Sequence, residues 1–332
     1  MQQGFWNVGI RKRMKATLRA SAAVAAVALV FTAAPLTGYA VRIEPAAQEG
    51  VTSNIFGSAG NQSEFYRQIS QTITQGQESL TITLDQPVSD QEEFIELCRQ
   101  AVYQARRDYP ESFLSNHTEF VYYYNESGYY QVTFSFRYLD LTDEQKQAMF
   151  ATVDGIVAQA RAQTGGDTVG MLRYFQQALC ERAEYDFAAA RSDSDHYPNS
   201  YHAYGALMEG KSVCQGYAYA FKLLCDRAQI PCWIVTGTYG DEPHAWNYVW
   251  VNNNYYLVDV TWDDANNRPA DSAFFLAGRD HAANYHVEDN CAPGTLAARS
   301  YSETGTTVIR RARQQTNQEE SSSRTLAGAA KG

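Results

Sequence analysis

"GKSVCQGYAYAFKLLC", from Gly210 to Cys225, is the stretch whose reading decides the fold. Val213, Tyr217, Ala220 and Leu224 recur at helical spacing, and Ala228 extends the stripe. That period predicts a helix with one face in the core. Ser212 and Gln215 have the spacing of a capping box, which puts Cys214 in the first turn. Pro231 lies just past the expected end. The N–H groups of a first turn have no acceptor inside the helix, and the helix dipole leaves partial positive charge there. Both favour a thiolate, so a cysteine at this place suits a nucleophile. The same N–H groups can hold the oxyanion of a tetrahedral intermediate. The plainer alternative, a small core residue near a cap, stands unless a base is placed to meet the thiol.

A base follows downstream. "EPHAWNYVWVNNNYYLVDVTWDD", Glu242 to Asp264, reads as strand, turn, strand. Asn252-Asn253 suits a two-residue turn, because asparagine tolerates positive φ. That register pairs Val251 with Asn254, Trp246 with Asp259 and His244 with Thr261. His244, Trp246 and Asp259 then share a face, with His244 and Asp259 as diagonal neighbours. A three-residue turn would separate them. Asp259 stands in Leu257-Val258-Asp259-Val260, where a carboxylate needs a partner. Cys214 as nucleophile, His244 as base and Asp259 as orienter make a triad suited to acyl transfer.

These segments resemble the transglutaminase-like superfamily, thiol enzymes with a papain-like fold. The matching pieces are "YGALMEGKSVCQGYAYAF", "HAWNYVWVNNNYYLVDVTWDD" and "FFLAGRD", within about residues 165 to 290. The family's order Cys, His, Asp maps onto Cys214, His244 and Asp259. The resemblance implies acyl transfer through a cysteine thioester: crosslinking, deamidation or peptide cleavage. It implies no cofactor. It also implies an α+β fold, with the cysteine helix packed on an antiparallel sheet. The family's oxyanion residue upstream of the cysteine, a tryptophan in animal transglutaminases and a glutamine in papain-like proteases, is missing. His202 and Tyr204 stand there instead, and the Tyr204 hydroxyl could donate. Trp246, with Trp250 on the same face, either walls the cleft or packs in the core.

Several features bound the rest of the chain. Its formal charge of −10 over 332 residues disfavours nucleic acid as a partner. Arg11, Lys12, Arg13, Lys15 and Arg19 precede an apolar run from Ala20 to Ala34, and Gly38-Tyr39-Ala40 offers a cleavage site. This is the layout of a secretory signal over residues 1–40. The run is short for a membrane span, which needs about 20 residues. A secreted or cell-surface protein is therefore expected, bound to a membrane only if the leader stays uncleaved. The expected partner is a protein or peptide substrate, cell-wall-associated protein included.

Residues 41–60 read as a linker and 61–140 as a small α+β domain. In it, Ser89 and Glu92 cap a helix, and Asn125 to Gly128 turn a hairpin. Residues 141–301 read as the catalytic domain, opening on a Thr142–Gln145 capping box, and the polar residues 302–332 as a disordered tail. The six cysteines include no C-x-x-C, so zinc and thioredoxin signatures are missing. Cys225 and Cys232 flank a helix-to-strand connection and are read as reduced. Asp280, His281, His286, Glu288 and Asp289 look like a metal cluster, but a five-residue histidine spacing does not share a helix face, and no metal is expected. Hydrolysis is favoured over crosslinking, because Asp241, Glu242, Asp263 and Asp264 would keep the entrance wet. The competing reading is an inert surface module of the same fold that binds ligands.

Overall fold

The computed structural model describes residues 39–43, 59–192, 194–265, 273–288 and 291–302. Nearly all of the leader and the tail read from sequence lies outside these residues. The chain first forms β1 (Tyr39–Ile43), α1 (Ala59–Thr74), β2 (Ser79–Val88), α2 (Gln91–Asp108), β3 (Leu114–Asn125) and β4 (Gly128–Tyr138). The four strands make one antiparallel sheet in the order β1-β3-β4-β2. β1 runs across residue 40, the expected border between leader and linker, because it covers the edge of β3 from Tyr39↔Tyr122 to Ile43↔Thr118.

Periodicity explains this layer. Phe65, Ile69 and Ile73 are four apart on α1, and all are buried. On α2, Phe94, Leu97, Cys98, Ala101, Val102 and Ala105 form the inner stripe. They meet the inward residues of the strands, Phe120 and Tyr122 on β3 and Val132, Phe134 and Phe136 on β4, at the two-residue period of a sheet. The cap of α2 is Asp90, whose carboxylate accepts from the Glu93 N–H at 2.8 Å. The expected Ser89 cap is one residue early. A carboxylate outcompetes a hydroxyl at the positive end of a helix.

The second half contains α3 (Asp143–Thr164), α4 (Thr168–Arg182), β5 (Glu184–Tyr185), α5 (Phe187–Ala190), β6 (Lys211–Ser212), α6 (Cys214–Ala228), β7 (Cys232–Tyr239), β8 (Glu242–Val251), β9 (Asn254–Val258), α7 (Val260–Ala265), β10 (Phe275–Ala277) and β11 (Tyr285–Val287). Thr142 and Gln145 form the reciprocal capping box of α3, and Gly165 ends that helix at φ 64°. Met149, Val153, Ile156, Val157 and Ala160 are its buried face, as their spacing predicts. Five antiparallel strands follow the order β10-β9-β8-β7-β11, and β5 pairs β6 in parallel. The fold is α+β.

α6 is the axis of this half. Every residue from Gln215 to Cys225 is buried, so the helix is enclosed on all sides rather than along one stripe. It packs against α3, α4, β7 and β8. Gly216 permits the close approach at its start, since a Cβ there would fall 2.6 Å from the Ser200 carbonyl oxygen.

The two halves are joined by specific polar contacts. Asn116 on β3 and Gln215 on α6 pair through their amides: Gln215 Nε2 donates to Asn116 Oδ1 at 2.9 Å, and Asn116 Nδ2 donates back at 3.3 Å. His202 Nε2 donates to the Pro110 carbonyl at 2.8 Å. Arg107 on α2 reaches Thr236 Oγ1 on β7 at 3.3 Å and Cys291 Sγ at 3.0 Å. Replacing Asn116 with alanine leaves the buried Gln215 amide short of a partner. This should lower the unfolding free energy by about 1–3 kcal/mol. Urea denaturation checks it, and an unchanged midpoint would show that the pair contributes nothing. No helix among the described residues is long and apolar enough to cross a membrane.

Candidate active site

Cys214 is the first residue of α6, as the sequence predicts, but the cap differs. Val213 takes the N-cap position in extended conformation and makes no side-chain cap bond. The Ser212 hydroxyl turns to the Ser200 and Val213 carbonyls, and the Gln215 amide to Tyr201 and Asn116. The chain is instead held by its backbone. Asp186 N–H donates to Ser212 O at 2.8 Å and Val213 N–H to Ser200 O at 3.0 Å. Among the described residues no side chain caps the helix, which leaves the first-turn N–H groups without a cap beside the thiol.

His244 lies on β8 opposite Gly237 of β7. Its Nε2 is 2.6 Å from Asp259 Oδ2, and both residues are buried. Cys214 acts on the same ring electrostatically. Nε2 is taken by the carboxylate, which leaves Nδ1 open to another partner. The structure thus pairs His244 with Asp259 and keeps Cys214 among the groups that act on the imidazole.

The hairpin between β8 and β9 has the expected turn, with Asn252 at φ 48° and Asn253 at φ 63°. Its register holds from Val251↔Asn254 to Asn247↔Val258 and stops there. The expected pairs Trp246 with Asp259 and His244 with Thr261 do not form. The N–H of Asp259 turns to the Phe274 carbonyl at 2.9 Å, and α7 begins one residue later. Asp259 caps that helix: Oδ1 accepts from the N–H groups of Thr261 at 3.1 Å and Trp262 at 3.3 Å. Oδ2 is left for His244 and for the Tyr285 hydroxyl, which donates at 2.8 Å. The carboxylate reaches its histidine from a helix end, not across a strand pair.

Four aromatic rings surround the imidazole. Trp246 stacks on it at 5.9 Å and 22°, with Trp262 at 5.8 Å and Tyr239 and Tyr285 at 6.3 Å. Burial here pulls the His244 pKa down. The charge and hydrogen bond of Asp259, with a smaller share from Cys214, outweigh that and raise it to about 10. The ring is protonated at neutral pH.

Other candidates fall outside this group. Trp246 is buried behind His244 rather than open to the cleft, and Trp250 is half-exposed against Tyr255 at the far end of β8. Tyr204 is buried in the main core around α3, α4 and α6. His202 Nδ1 accepts from the Tyr204 N–H at 3.2 Å, and burial, partly offset by the Pro110 bond, lowers the histidine's pKa to about 4. Cys225 and Cys232 are free and buried. Asp280 and His281 meet Ser300 at the surface, whereas Glu288 accepts from Thr236. Among the described residues no group of three His, Cys, Asp or Glu side chains could hold a metal ion.

Asp263 is fully buried and neither of its oxygens has a hydrogen-bond partner among the described residues, so it does not wet an entrance. Burial first, and then the charge of Asp259, push its pKa up to about 9. Asp264 accepts from the Tyr217 hydroxyl at 2.6 Å. Tyr285 is the residue that sequence reasoning missed. It lies on a short strand 26 residues beyond Asp259, and no local period marks it.

Residues 154–260 match the transglutaminase-like superfamily. The chain carries a transglutaminase-like domain. Kyphoscoliosis peptidase from Homo sapiens is 31% identical over 96 residues, and that from Mus musculus 30% over 96 residues. Each match covers 25% of this chain and 14% of the relative, so the chain spans a small part of the curated relatives it matches. A solved structure described as a TGase is 15% identical, covers 55% of this chain and 50% of its own, and superposes with a TM-score of 0.31. The transglutaminase-like region ends one residue after Asp259. It therefore contains Cys214, His244 and Asp259, but not Tyr285. The match places residues 154–260 among transglutaminase-like domains.

Proposed function

We propose that the chain is an exported thiol enzyme that attacks peptide or glutamine amide bonds through a thioester on Cys214, with water as the favoured acceptor. The observation that carries this reading is the buried His244–Asp259 pair, 2.6 Å between Nε2 and Oδ2, with Cys214 among the groups that raise the pKa of the ring. An imidazolium beside a thiol favours the thiolate, the attacking form. Cys214 adds to the carbonyl carbon. His244 then gives its proton to the leaving nitrogen, the C–N bond breaks and a thioester remains. Water attacks the thioester, loses a proton to His244 and releases the acid. Asp259 stabilises the imidazolium throughout, and Tyr285 and the α7 amides hold Asp259 in place.

Hydrolysis and crosslinking share the thioester and differ in what attacks it. A crosslinking enzyme must exclude water and admit an amine through an apolar channel. The exposed side chains of Asp241 and Glu242, where β7 turns into β8, support the wet alternative. A leader at the N-terminus supports export, and the substrate is then an extracellular protein or peptide.

The test has two parts. Iodoacetamide should label Cys214 faster than any other cysteine, since Cys98, Cys225 and Cys232 are buried. Peptide mapping reads this out, and faster labelling of Cys98 or Cys225 in the folded protein removes the nucleophile assignment. A glutamine-containing protein is then incubated with a labelled primary amine. Mass spectrometry should count deamidated glutamines or cut peptides above amine adducts. A predominance of adducts reverses the acceptor. No product, with an unreactive Cys214, leaves an inert binding module.

A further inference from the structure

α1 carries two stripes. Phe65, Ile69 and Ile73 enter the core of the first sheet, as their four-residue spacing requires. Tyr66, Arg67, Ser70, Gln71 and Thr74 recur at the same period on the adjoining face. With Tyr109, which follows α2, they line a groove of about 410 Å³. Proteins hold small molecules in cavities of roughly 300–1,000 Å³. All six residues lie in the first half of the chain, so the groove is separate from the Cys214 site.

Most polar groups of the lining are already engaged. Arg67 is held by Glu64, with Nε donating to Oε2 at 2.9 Å and Nη2 donating to Oε1 at 2.5 Å. A ligand phosphate or carboxylate would have to displace that bidentate pair. The Tyr66 hydroxyl donates to Asp108 Oδ2 at 2.7 Å, which fixes its ring, and the Thr74 hydroxyl donates to the Ser70 carbonyl at 2.8 Å. The Ser70 hydroxyl differs. Ser70 is 6% exposed, and its Oγ has no hydrogen-bond partner among the described residues. A buried hydroxyl left unpaired costs free energy, and folded proteins satisfy nearly all such groups. Gln71, the next residue, is exposed and carries an amide that can both donate and accept.

We propose that this groove is a binding site for a neutral saccharide. The half-buried rings of Tyr66 and Tyr109 offer apolar surface to the C–H face of a sugar. Ser70 and Gln71 offer groups that both give and take hydrogen bonds, as each sugar hydroxyl does. The one cation of the lining is neutralised within α1, so nothing there calls for charge on the ligand. An extended peptide fits less well, because a helix and a turn make the walls and present no unpaired strand edge to it. A saccharide held here would raise the concentration of glycan-linked peptide near Cys214 without any new contact at the thiol. The proposal concerns binding alone and stands whether or not Cys214 forms a thioester.

Isothermal titration calorimetry of the full chain tests it with two probes. Cellotriose presents hydroxyls only, and triacetylchitotriose presents acetamido groups as well. At least one should bind, and a preference for the second would assign the Gln71 amide to the acetamido group. Ser70→Ala and Gln71→Ala should each weaken the binding by about 3- to 10-fold. Ser70→Ala removes an unpaired buried hydroxyl, so its thermal midpoint should not fall and weaker binding is then no sign of a lost fold. Gln71 is exposed, so its variant keeps the test open if Ser70→Ala melts early. A wild-type chain that binds neither saccharide overturns the proposal. Binding that both variants retain also overturns it, because the saccharide would then sit elsewhere on the chain. Neither failure touches the reactivity of Cys214, which iodoacetamide labelling reads separately.

Discussion

Replacing Asp259 with alanine should abolish turnover and lower the unfolding free energy by about 3–5 kcal/mol. The carboxylate satisfies four donors: the imidazole of His244, the Tyr285 hydroxyl and the N–H groups of Thr261 and Trp262. Alanine leaves a buried imidazolium without its counter-charge and uncaps α7. Asp259→Asn separates the two effects. Its carbonyl can still accept from the α7 amides, but it carries no charge to hold the imidazolium. Acyl transfer should fall by about 10⁴-fold with most of the stability retained.

The pH dependence follows with a definite sign. His244 has a folded pKa of about 10, above that of a free histidine. Its contribution to stability is complete below the unfolded value of about 6.5 and is lost as pH rises through 10. Asp259→Asn should flatten that slope. Urea unfolding at pH 6 and above pH 10, for both proteins, measures it. An Asp259→Ala variant that keeps its turnover within tenfold of the parent would refute the role assigned to the pair, because the loss rests on four contacts and one charge.

Asp263→Asn should act in the opposite direction and stabilise the protein above neutral pH. Two carboxylates close together cannot both stay ionised cheaply. Asp259 has four donors, whereas Asp263 has none among the described residues, so the proton stays on Asp263. Its folded pKa of about 9 stands above the ordinary carboxylate value of 3.8. Between these values the native state holds a proton that the unfolded chain has released. Stability therefore falls as pH rises from about 4 to about 9 and levels off above that. Asparagine is neutral throughout and removes the slope. The gain at pH 8 has an upper bound on the order of several kcal/mol, reduced by the cost of burying an unpaired amide. Thermal melting at pH 5 and pH 8 is the measurement. Parallel pH profiles for the variant and the parent would mean that Asp263 is ionised or differently partnered.

The sequence by itself determined those parts of the protein that depend on neighbours a few residues apart. The capping box at Thr142, the buried stripe of α3 and the left-handed end at Gly165 follow from local spacing and local backbone preference. So does the start of α6 at Cys214, although the cap that was read there does not form. The β8–β9 register is legible because two asparagines in left-handed conformation leave one way to turn. Tertiary structure decided how the site closes. Asp259 reaches His244 only because β9 stops at Val258 and a helix begins, and that stop depends on Phe274 capturing the next N–H. Tyr285 arrives on β11 by pairing with β7. Asn116 arrives from the other sheet altogether. Asp259 is marked by its apolar setting but not by the route it takes, and neither Tyr285 nor Asn116 stands in a period or a turn that marks it. Each is placed by a pairing between segments distant in the chain, and such pairings are selected by burial and hydrogen-bond satisfaction summed over the whole fold.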